Sequence, residues 1–254
     1  MSCDMASCYV ALLTMAHKLP SLFPLKFLGL YIDNNLSWKT HIESIQSKLS
    51  SACYAVRSVK PYVTTNTLKS IYYSYFHSVM TYGLLFWGNS SDSIKIFRLQ
   101  KNIIGIMMGC RSRDSCRKLF FNLEIINLPS QYIFSLLLFM IRNRNHFLLN
   151  SELYHTNTRK YVNLHQPSVN VTKFQKGVYS LGVKVFNILP LFIKTESDIP
   201  KKFKVTLQNF YIVMLFILWR NILKFKKVNY SQHMNVLAHK FLLFNYQSLS
   251  YNGL

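Results

Sequence analysis

Apolar side chains recur every three or four residues along most of this chain, which is the period of an amphipathic α-helix. The first stripe runs from Ile42 to Val59 and stops at Pro61, and the third stops at Gly109. Proline and glycine are typical residues at helix ends, so the breaks support the helical prediction. The predicted helices cover residues 39–60, 65–82, 91–108, 115–123, 129–149 and 201–227, with a short ordered element over 178–189.

The segment before the first helix has a different pattern. Lys26–Ile32 is apolar, with aromatic and β-branched members, and predicts a strand. Asp33–Asn35 predicts a tight turn, because Asp and Asn tolerate left-handed conformations. Leu36–Trp38 is then predicted to return as a second strand, with Thr40 as a possible cap of the helix. Gly29 within the first strand indicates a bulge or a close approach of another backbone.

These patterns predict a mainly α protein: a helical bundle that follows a short N-terminal β-hairpin. Between Asn150 and Val171 the apolar pattern gives way to Asn, Thr, His and Gln, which is typical of an exposed linker. The predicted division is 1–24, an N-terminal segment; 25–149, the hairpin and helical domain; 150–177, a polar linker; 178–214, a C-terminal segment; and 215–254, a basic tail.

The charge of the chain points to an anionic partner. Thirty Lys and Arg oppose nine Asp and Glu, for a formal net charge of +21, while half of the residues are hydrophobic. A hydrophobic fraction that large argues against a disordered tail. A positive excess of this size repels itself unless something anionic offsets it, so nucleic acid or an anionic membrane surface is the expected partner.

The cysteines and the apolar runs indicate the cellular compartment in which the protein is expected. Five scattered cysteines without a CxxC pair argue against a disulfide framework or a zinc site, and predict buried thiols in a reducing compartment. The N-terminus lacks the basic start of a secretory signal. Two apolar runs, 132–141 and 210–219, are about half the length that a bilayer needs. We therefore expect an intracellular protein, cytoplasmic or nuclear and not secreted, without an integral membrane span.

The sequence offers no catalytic constellation. The eight histidines lack metal-binding spacing, and no Gly-rich phosphate loop or nucleophile elbow is present. His41, beside the predicted hairpin, is expected at a helix start or buried. We predict neither a catalytic residue nor a cofactor for this chain. The aspartates are isolated from one another: Asp4, Asp33, Asp92, Asp114 and Asp198.

Four segments, in order, resemble the reverse transcriptases of LINE-type (non-LTR) retrotransposons, especially jockey-like elements. The first is Lys26–Ile42, KFLGLYIDNNLSWKTHI, which resembles the segment just after the catalytic palm. Together the matches span about residues 22 to 215. The others are Tyr82-Gly83 with Phe86-Trp87-Gly88; Leu99-Gln100-Lys101 with Arg111-Ser112-Arg113-Asp114-Ser115; and Gly182–Pro190, GVKVFNILP, with Phe203-Lys204.

The resemblance implies the thumb and C-terminal region of an RNA-directed DNA polymerase. In that family the hairpin lies against the 3′ end of the primer, and paired aspartates in the palm hold two magnesium ions. This chain has no Asp-Asp dipeptide, so magnesium would belong to the missing palm, and Gly105 stands where the family has an arginine. We expect a truncated copy that at most binds primer–template backbone, weakly and without sequence preference. By itself the purified chain is expected to incorporate no nucleotide on a primer–template with magnesium.

The residues expected to touch nucleic acid are mostly basic, because thumbs hold the backbone rather than read bases. Arg111 and Arg113, with the helix start at Ser115, are predicted to form a phosphate site. Trp38 and Trp87 are candidates for stacking on bases, although their apolar neighbours favour packing. The predicted contacts are Lys26, Gly29, Lys39, Lys48, Arg57, Lys60, Lys101, Arg111 and Arg113.

Two alternatives stay open at this point. The hydrophobic composition and the cationic tail also suit a basic helical protein that lies on a membrane surface or binds other proteins. A decayed copy without function is the second alternative. Pelleting with membranes in high salt would favour the first alternative over nucleic-acid binding.

Overall fold

The computed structural model describes residues 24–110, 116–154, 161–166 and 177–208, apart from the side chains of Arg117 and Lys118. The chain divides into two compact units, Met1–Leu128 and Pro129–Leu254. The predicted class is confirmed: the described chain is mainly helical and opens with a short antiparallel hairpin. The predicted domain boundaries stay predictions.

The first unit contains two strands and six α-helices among its described residues. Pro61 lies in a 3₁₀ turn, Lys60–Tyr62, and a π-helical turn, Tyr72–His77, joins the second and third helices. The elements are β1 (Leu25–Phe27), β2 (Leu30–Ile32), α1 (Lys39–Val59), α2 (Thr65–Ile71), α3 (Ser78–Thr81), α4 (Leu84–Trp87), α5 (Ser93–Met108) and α6 (Arg117–Asn122).

The hairpin turns earlier than predicted. β1 and β2 pair through Lys26 and Tyr31, so the hairpin, apart from Leu25, lies within the segment expected to form one strand. Leu28 and Gly29 both have positive φ, 46° and 80°, as a two-residue type I′ turn requires. The predicted turn at Asp33 exists, but the chain after it forms no strand: the Asp33 carboxylate accepts the Ser37 N–H at 2.8 Å. The return strand at residues 36–38 is therefore wrong.

α1 and α5 run parallel to each other. Contacts join the two helices near their N-terminal ends, in their middle and near their C-terminal ends. These contacts are Ser90 Oγ with Ser37 O (3.0 Å), Cys53 Sγ with Leu99 O (3.9 Å) and Lys60 Nζ beside Gly109. Each of the two helices buries one stripe of side chains, and these are the apolar stripes that the sequence predicts. α1 begins as expected at Lys39, but Trp38, not Thr40, occupies the N-cap position.

The π-helical turn has a visible cause in the sequence. Leu68, Tyr72, Phe76 and Met80 are all buried, and they recur at strict four-residue intervals. In a regular α-helix residues four apart are about 40° out of line, and that offset accumulates at every step. A turn with more residues per turn keeps the four side chains on one buried face, so the spacing explains the π geometry.

Gln100, at the centre of the Leu99-Gln100-Lys101 segment, closes the core of this unit. Its side chain donates to Tyr72 Oη and to Ile126 O, both at 2.9 Å, and accepts the Leu128 N–H at 2.7 Å. Gln100 is fully buried, and all of these bonds cross between elements. This glutamine therefore has a structural role that its hydrogen bonds account for.

The second unit is built around Asn187 in the described part of the chain. Its side chain accepts the Leu164 N–H at 2.8 Å and donates to Leu164 O at 2.9 Å, as a strand partner would.

Gly182 lies against Met140, where an added Cβ would come within 2.5 Å of the sulfur. The elements are α7 (Leu128–Arg142), the 3₁₀ turn Arg144–His146, α8 (Asn150–Tyr154), α9 (Val178–Ile188), α10 (Leu191–Lys194) and a helix over residues 200–208.

Two helices of this unit end at other residues than predicted or reach the limit of the described residues. α7 ends at Arg142, earlier than the predicted residue 149, since a 3₁₀ turn follows it. The predicted helix over residues 201–227 is helical as far as residue 208, and its remainder lies outside the described residues. No helix in the described part of the chain is long and apolar enough to cross a membrane.

Candidate nucleic-acid interface

The outer surface of the parallel helices α1 and α5 gathers exposed cations. Lys39 and Arg57 are eighteen residues apart in α1, about five helical turns, so they lie on the same side of it. Tyr54 precedes Arg57 by three residues and lies beside it on the helix surface. All three side chains are exposed, while the opposite side of α1 is buried.

α5 contributes the other half of this surface. Arg98 and Asn102 are exposed, and one turn separates them. Lys95 lies one turn before Arg98 and pairs with Asp92 at 2.8 Å. The hydrogen bond to Asp92, together with the charges of Asp92 and of Glu43 on α1, raises the pKa of Lys95, so Lys95 lies near the side of α1 that carries Lys39 and Glu43. Arg98 and Asn102 follow Lys95 on the same side of α5. We call this surface the α1–α5 face; it consists of Lys39, Tyr54, Arg57, Lys95, Arg98 and Asn102.

Three cations of the α1–α5 face lack an acidic partner. Among the residues that the structure describes, no ion pair includes Lys39, Arg57 or Arg98. Glu43 is exposed on the same side of α1 and is the nearest source of opposing charge in the sequence. The face therefore keeps a net positive charge that is available to an anion.

Two of the predicted contact residues join this face, and a third lies at its end. Lys39 and Arg57 belong to it. Lys60 follows α1, and its ammonium lies beside Gly109, which ends α5 with a φ of 70°. The C-terminus of a helix attracts cations through its unpaired carbonyl groups. Lys60 therefore stabilises the end of α5 in addition to any contact with a ligand.

The remaining predicted contacts lie elsewhere. Lys48 is nine residues from both Lys39 and Arg57, half a turn out of phase, so it projects from the other flank of α1. Lys26 lies 5.6 Å from the Tyr31 ring centroid, and Lys101 lies 5.1 Å from the Phe97 ring centroid. Because cations over aromatic rings stabilise a fold locally, both contacts explain these lysines without a ligand.

Gly29 also has a structural explanation. The Tyr82 ring lies under it, with a ring carbon 3.5 Å from where a Cβ would be. The Tyr82 hydroxyl donates to Leu28 O. Gly83, which has a φ of 62°, lies against Leu30. The Tyr82-Gly83 pair thus holds the hairpin turn. Gly29 lies in that turn rather than within a strand, and its neighbour is an aromatic ring rather than the bulge or backbone approach that the sequence predicted.

Trp38 and Trp87 are not available to bases. Trp38 is 9% exposed and Trp87 is fully buried, where its Nε1–H donates to Tyr82 O at 3.0 Å. Both rings meet His41 edge to face, with ring centroids 6.2 and 6.4 Å away. The packing interpretation of both tryptophans is therefore confirmed.

His41 is buried, as one of the two sequence alternatives predicted. Its Nδ1 accepts the Tyr31 N–H at 3.5 Å, and its Nε2 has no hydrogen-bond partner among the described residues. Burial, helped by the positive charge of Lys48, lowers the pKa of His41 to about 4. The imidazole is therefore neutral near pH 7, with its proton on Nε2, and serves the core rather than a reaction.

The cysteines differ from one another. Cys53 is buried as predicted, and burial raises the pKa of its thiol to about 11. Cys110 and Cys116 are only half-buried, so the prediction of buried thiols is wrong for these two. Cys3 and Cys8 lie outside the described residues.

The predicted phosphate site at Arg111, Arg113 and Ser115 also lies outside the described residues. The helix after it is α6, which begins at Arg117. Within the described ranges, no group of three or more His, Cys, Asp or Glu side chains is placed to hold a metal ion.

Sequence reasoning missed four members of the α1–α5 face: Tyr54, Lys95, Arg98 and Asn102. Arg98 and Tyr54 are exposed, whereas several of the predicted lysines lie against an aromatic ring or a helix end. The apolar stripes already contained the signal, because both residues fall opposite the buried positions of their helices. Only the pairing of α1 with α5 shows that they share a surface.

Comparison with known proteins adds no relative. No family model matches the chain, and no curated protein or solved structure matches it either.

Proposed function

We propose that the α1–α5 face binds the sugar–phosphate backbone of nucleic acid, in the manner of a polymerase thumb. The observation that carries this proposal is the set of three cations, Lys39, Arg57 and Arg98, which share one surface of two parallel helices. None of them has a carboxylate partner among the described residues. Cations spread along two packed helices suit a polyanion, whose phosphates repeat along its backbone.

The chemistry of the face favours backbone contact over base reading. Lysine and arginine side chains and the Asn102 amide all donate hydrogen bonds to phosphate oxygens. Such contacts position a nucleic acid without selecting its sequence. The net charge of +21 adds a long-range attraction that raises the rate of association.

The resemblance to LINE-type reverse transcriptases supplies the context of the proposal. In such a polymerase the thumb holds the primer–template while palm aspartates and magnesium perform nucleotide transfer. We assign this chain the holding role alone. Cations outnumber the two neighbouring carboxylates, Glu43 and Asp92, on this side of the helices, so its groups suit the binding of phosphate.

The test is the salt dependence of binding. A fluorescent RNA–DNA duplex is titrated with the full chain at several salt concentrations, for the wild type and for the triple variant Lys39→Ala, Arg57→Ala, Arg98→Ala. Each phosphate contact contributes about 0.9 to the slope of log affinity against log salt for a duplex. We expect the triple variant to reduce the slope by about 2 to 3 and to weaken binding at low salt.

The matched control removes the same charge from other places. Lys26→Ala, Lys48→Ala, Lys101→Ala changes three cations that do not share the α1–α5 face. This control is expected to leave the slope within about one unit of the wild type. Equal losses in the two triple variants would show that only net charge matters and would overturn the assignment to this face.

A further inference from the structure

Two exposed tyrosines accompany the cations of α1. Tyr54 is 72% exposed and lies beside Arg57, and Tyr62 is 86% exposed and follows Lys60 in the 3₁₀ turn. Each is therefore a large flat ring in solvent next to a cation. Rings so exposed contribute little to the core, in contrast to Trp38 and Trp87, which are buried.

The spacing of the two rings suits a short stretch of unpaired nucleotides. From Tyr54 to Lys60 the chain rises about 9 Å along α1, and the 3₁₀ turn adds about 4 Å before Tyr62. That distance corresponds to a few nucleotides of an extended single strand. Along the chain the order is ring, two cations, ring: Tyr54, Arg57, Lys60 and Tyr62. Proteins bind single strands with exposed aromatic rings that stack on bases and with cations that hold the phosphates.

We infer that Tyr54 and Tyr62 stack on unpaired bases, so that the site prefers nucleic acid with a single-stranded segment over a fully paired duplex. This inference rests on the proposed function, because the cations of the α1–α5 face would hold the adjoining backbone. A paired duplex hides its base faces within the stack, and its backbone alone remains for contact. The ligand class is thus a single strand of DNA or RNA, or a duplex with an overhang.

The experiment compares ligands and variants by fluorescence anisotropy. The ligands are an oligothymidylate and an oligouridylate of about twelve nucleotides, within the range of single-strand site sizes, and a blunt duplex of the same length. Tyr54→Ala, Tyr62→Ala is expected to weaken single-strand binding at least about tenfold. Binding of the blunt duplex is expected to change less than about threefold, because it offers no ring partner. Equal weakening for both ligand types would overturn the inference.

Two further variants separate stacking from other effects. Tyr73→Ala, Tyr75→Ala removes two exposed tyrosines of the π-helical turn and is the matched control, expected to bind as the wild type does. Tyr54→Phe, Tyr62→Phe keeps the rings without the hydroxyl groups and is expected to retain single-strand binding. Loss in the phenylalanine variant as large as in the alanine variant would show that hydroxyl contacts, not stacking, are responsible.

The outcomes distinguish the inference from the proposed function. If the tyrosine variants bind normally while the triple cation variant loses its salt slope, the inference fails and the proposed function stands. If neither variant set affects nucleic-acid binding, both fail. Binding to vesicles that contain anionic lipid, with loss in the tyrosine variants and without competition from the oligonucleotides, would assign the face to a membrane surface and overturn both.

Discussion

His41 shows how one buried side chain ties the hairpin to the first helix. Its ring lies between Trp38 and Trp87 and accepts a hydrogen bond from the backbone of β2. Because Nε2 already carries the proton, a second proton would go to Nδ1, where it would break the hydrogen bond from the Tyr31 N–H and place a charge among apolar rings. The position therefore requires neutral imidazole, and the folded state resists its protonation.

We predict that His41 makes folding stability depend on acid pH. Its pKa of about 4 in the folded state lies below the ordinary value of 6.5, so the unfolded chain binds the proton first as pH falls. Stability is then lost between about pH 6.5 and pH 4, by up to about 3 kcal/mol. Urea unfolding at several pH values would measure this loss in the wild type and in His41→Gln.

The substitution supplies the contrast, because glutamine does not titrate. His41→Gln is expected to be less stable than the wild type at pH 7, yet to lose less stability between pH 6.5 and pH 4. A pH dependence identical in the two proteins would show that carboxylates elsewhere in the chain account for the whole effect.

At the scale of elements, the hairpin and the loop after α3 depend on each other. Gly83 needs its left-handed backbone, and an added Cβ would lie 2.6 Å from Leu30 Cδ2. The hydroxyl of Tyr82 reaches the turn at Leu28. Tyr82 and Gly83 thus both contact the hairpin, and these contacts explain why a tyrosine and a glycine occur together here.

We predict that Gly83→Ala destabilises the first unit by about 1–3 kcal/mol, through backbone strain and the clash with Leu30. Gly105→Ala is the matched control, because Gly105 lies within α5 and an added Cβ there has no contact closer than 4.0 Å. Alanine favours helix, so the control should stabilise by about 0.5–1 kcal/mol. Denaturant unfolding measures both, and equal effects would contradict the role of Gly83.

Elements that depend on local sequence are easier to predict than surfaces that depend on how elements pair. The helices follow from local periodicity, so α1, α5 and the break at Gly109 are confirmed within a few residues. The hairpin was placed too late, because a Leu-Gly turn is less conspicuous in sequence than Asp-Asn-Asn, although Gly29 supplies the φ it needs. The α1–α5 face requires knowledge of which helices pair, and periodicity within one helix does not contain that.

At the scale of the whole molecule, the acidic residues of the chain do not balance its positive charge. The described residues contain ion pairs such as Lys69–Glu124 and Lys202–Glu196, but nine acidic residues cannot offset thirty basic ones. Mutual repulsion of the cations opposes compaction, so a screening salt or a bound polyanion stabilises the folded state. The net charge therefore supports the proposed binding of a polyanion, as the α1–α5 face does.

We predict that raising sodium chloride from about 0.05 to 0.5 M raises the thermal unfolding midpoint, since the screening length shortens severalfold over that range. A gain of about 2–4 °C is expected for each kcal/mol of repulsion removed. Differential scanning fluorimetry measures this shift. The triple variant at Lys39, Arg57 and Arg98 should show a smaller shift than the wild type, and a midpoint that is flat or falls with salt would contradict the prediction.

The π-helical turn between α2 and α3 has a consequence for how related chains differ in length. If the chain were one residue shorter between Tyr72 and Phe76, the four buried side chains from Leu68 to Met80 would be spaced by four, three and four residues. That spacing is the repeat of a regular α-helix, and the same apolar face would be kept. In evolutionary terms, the turn marks a place where a single codon can be gained or lost while the core survives.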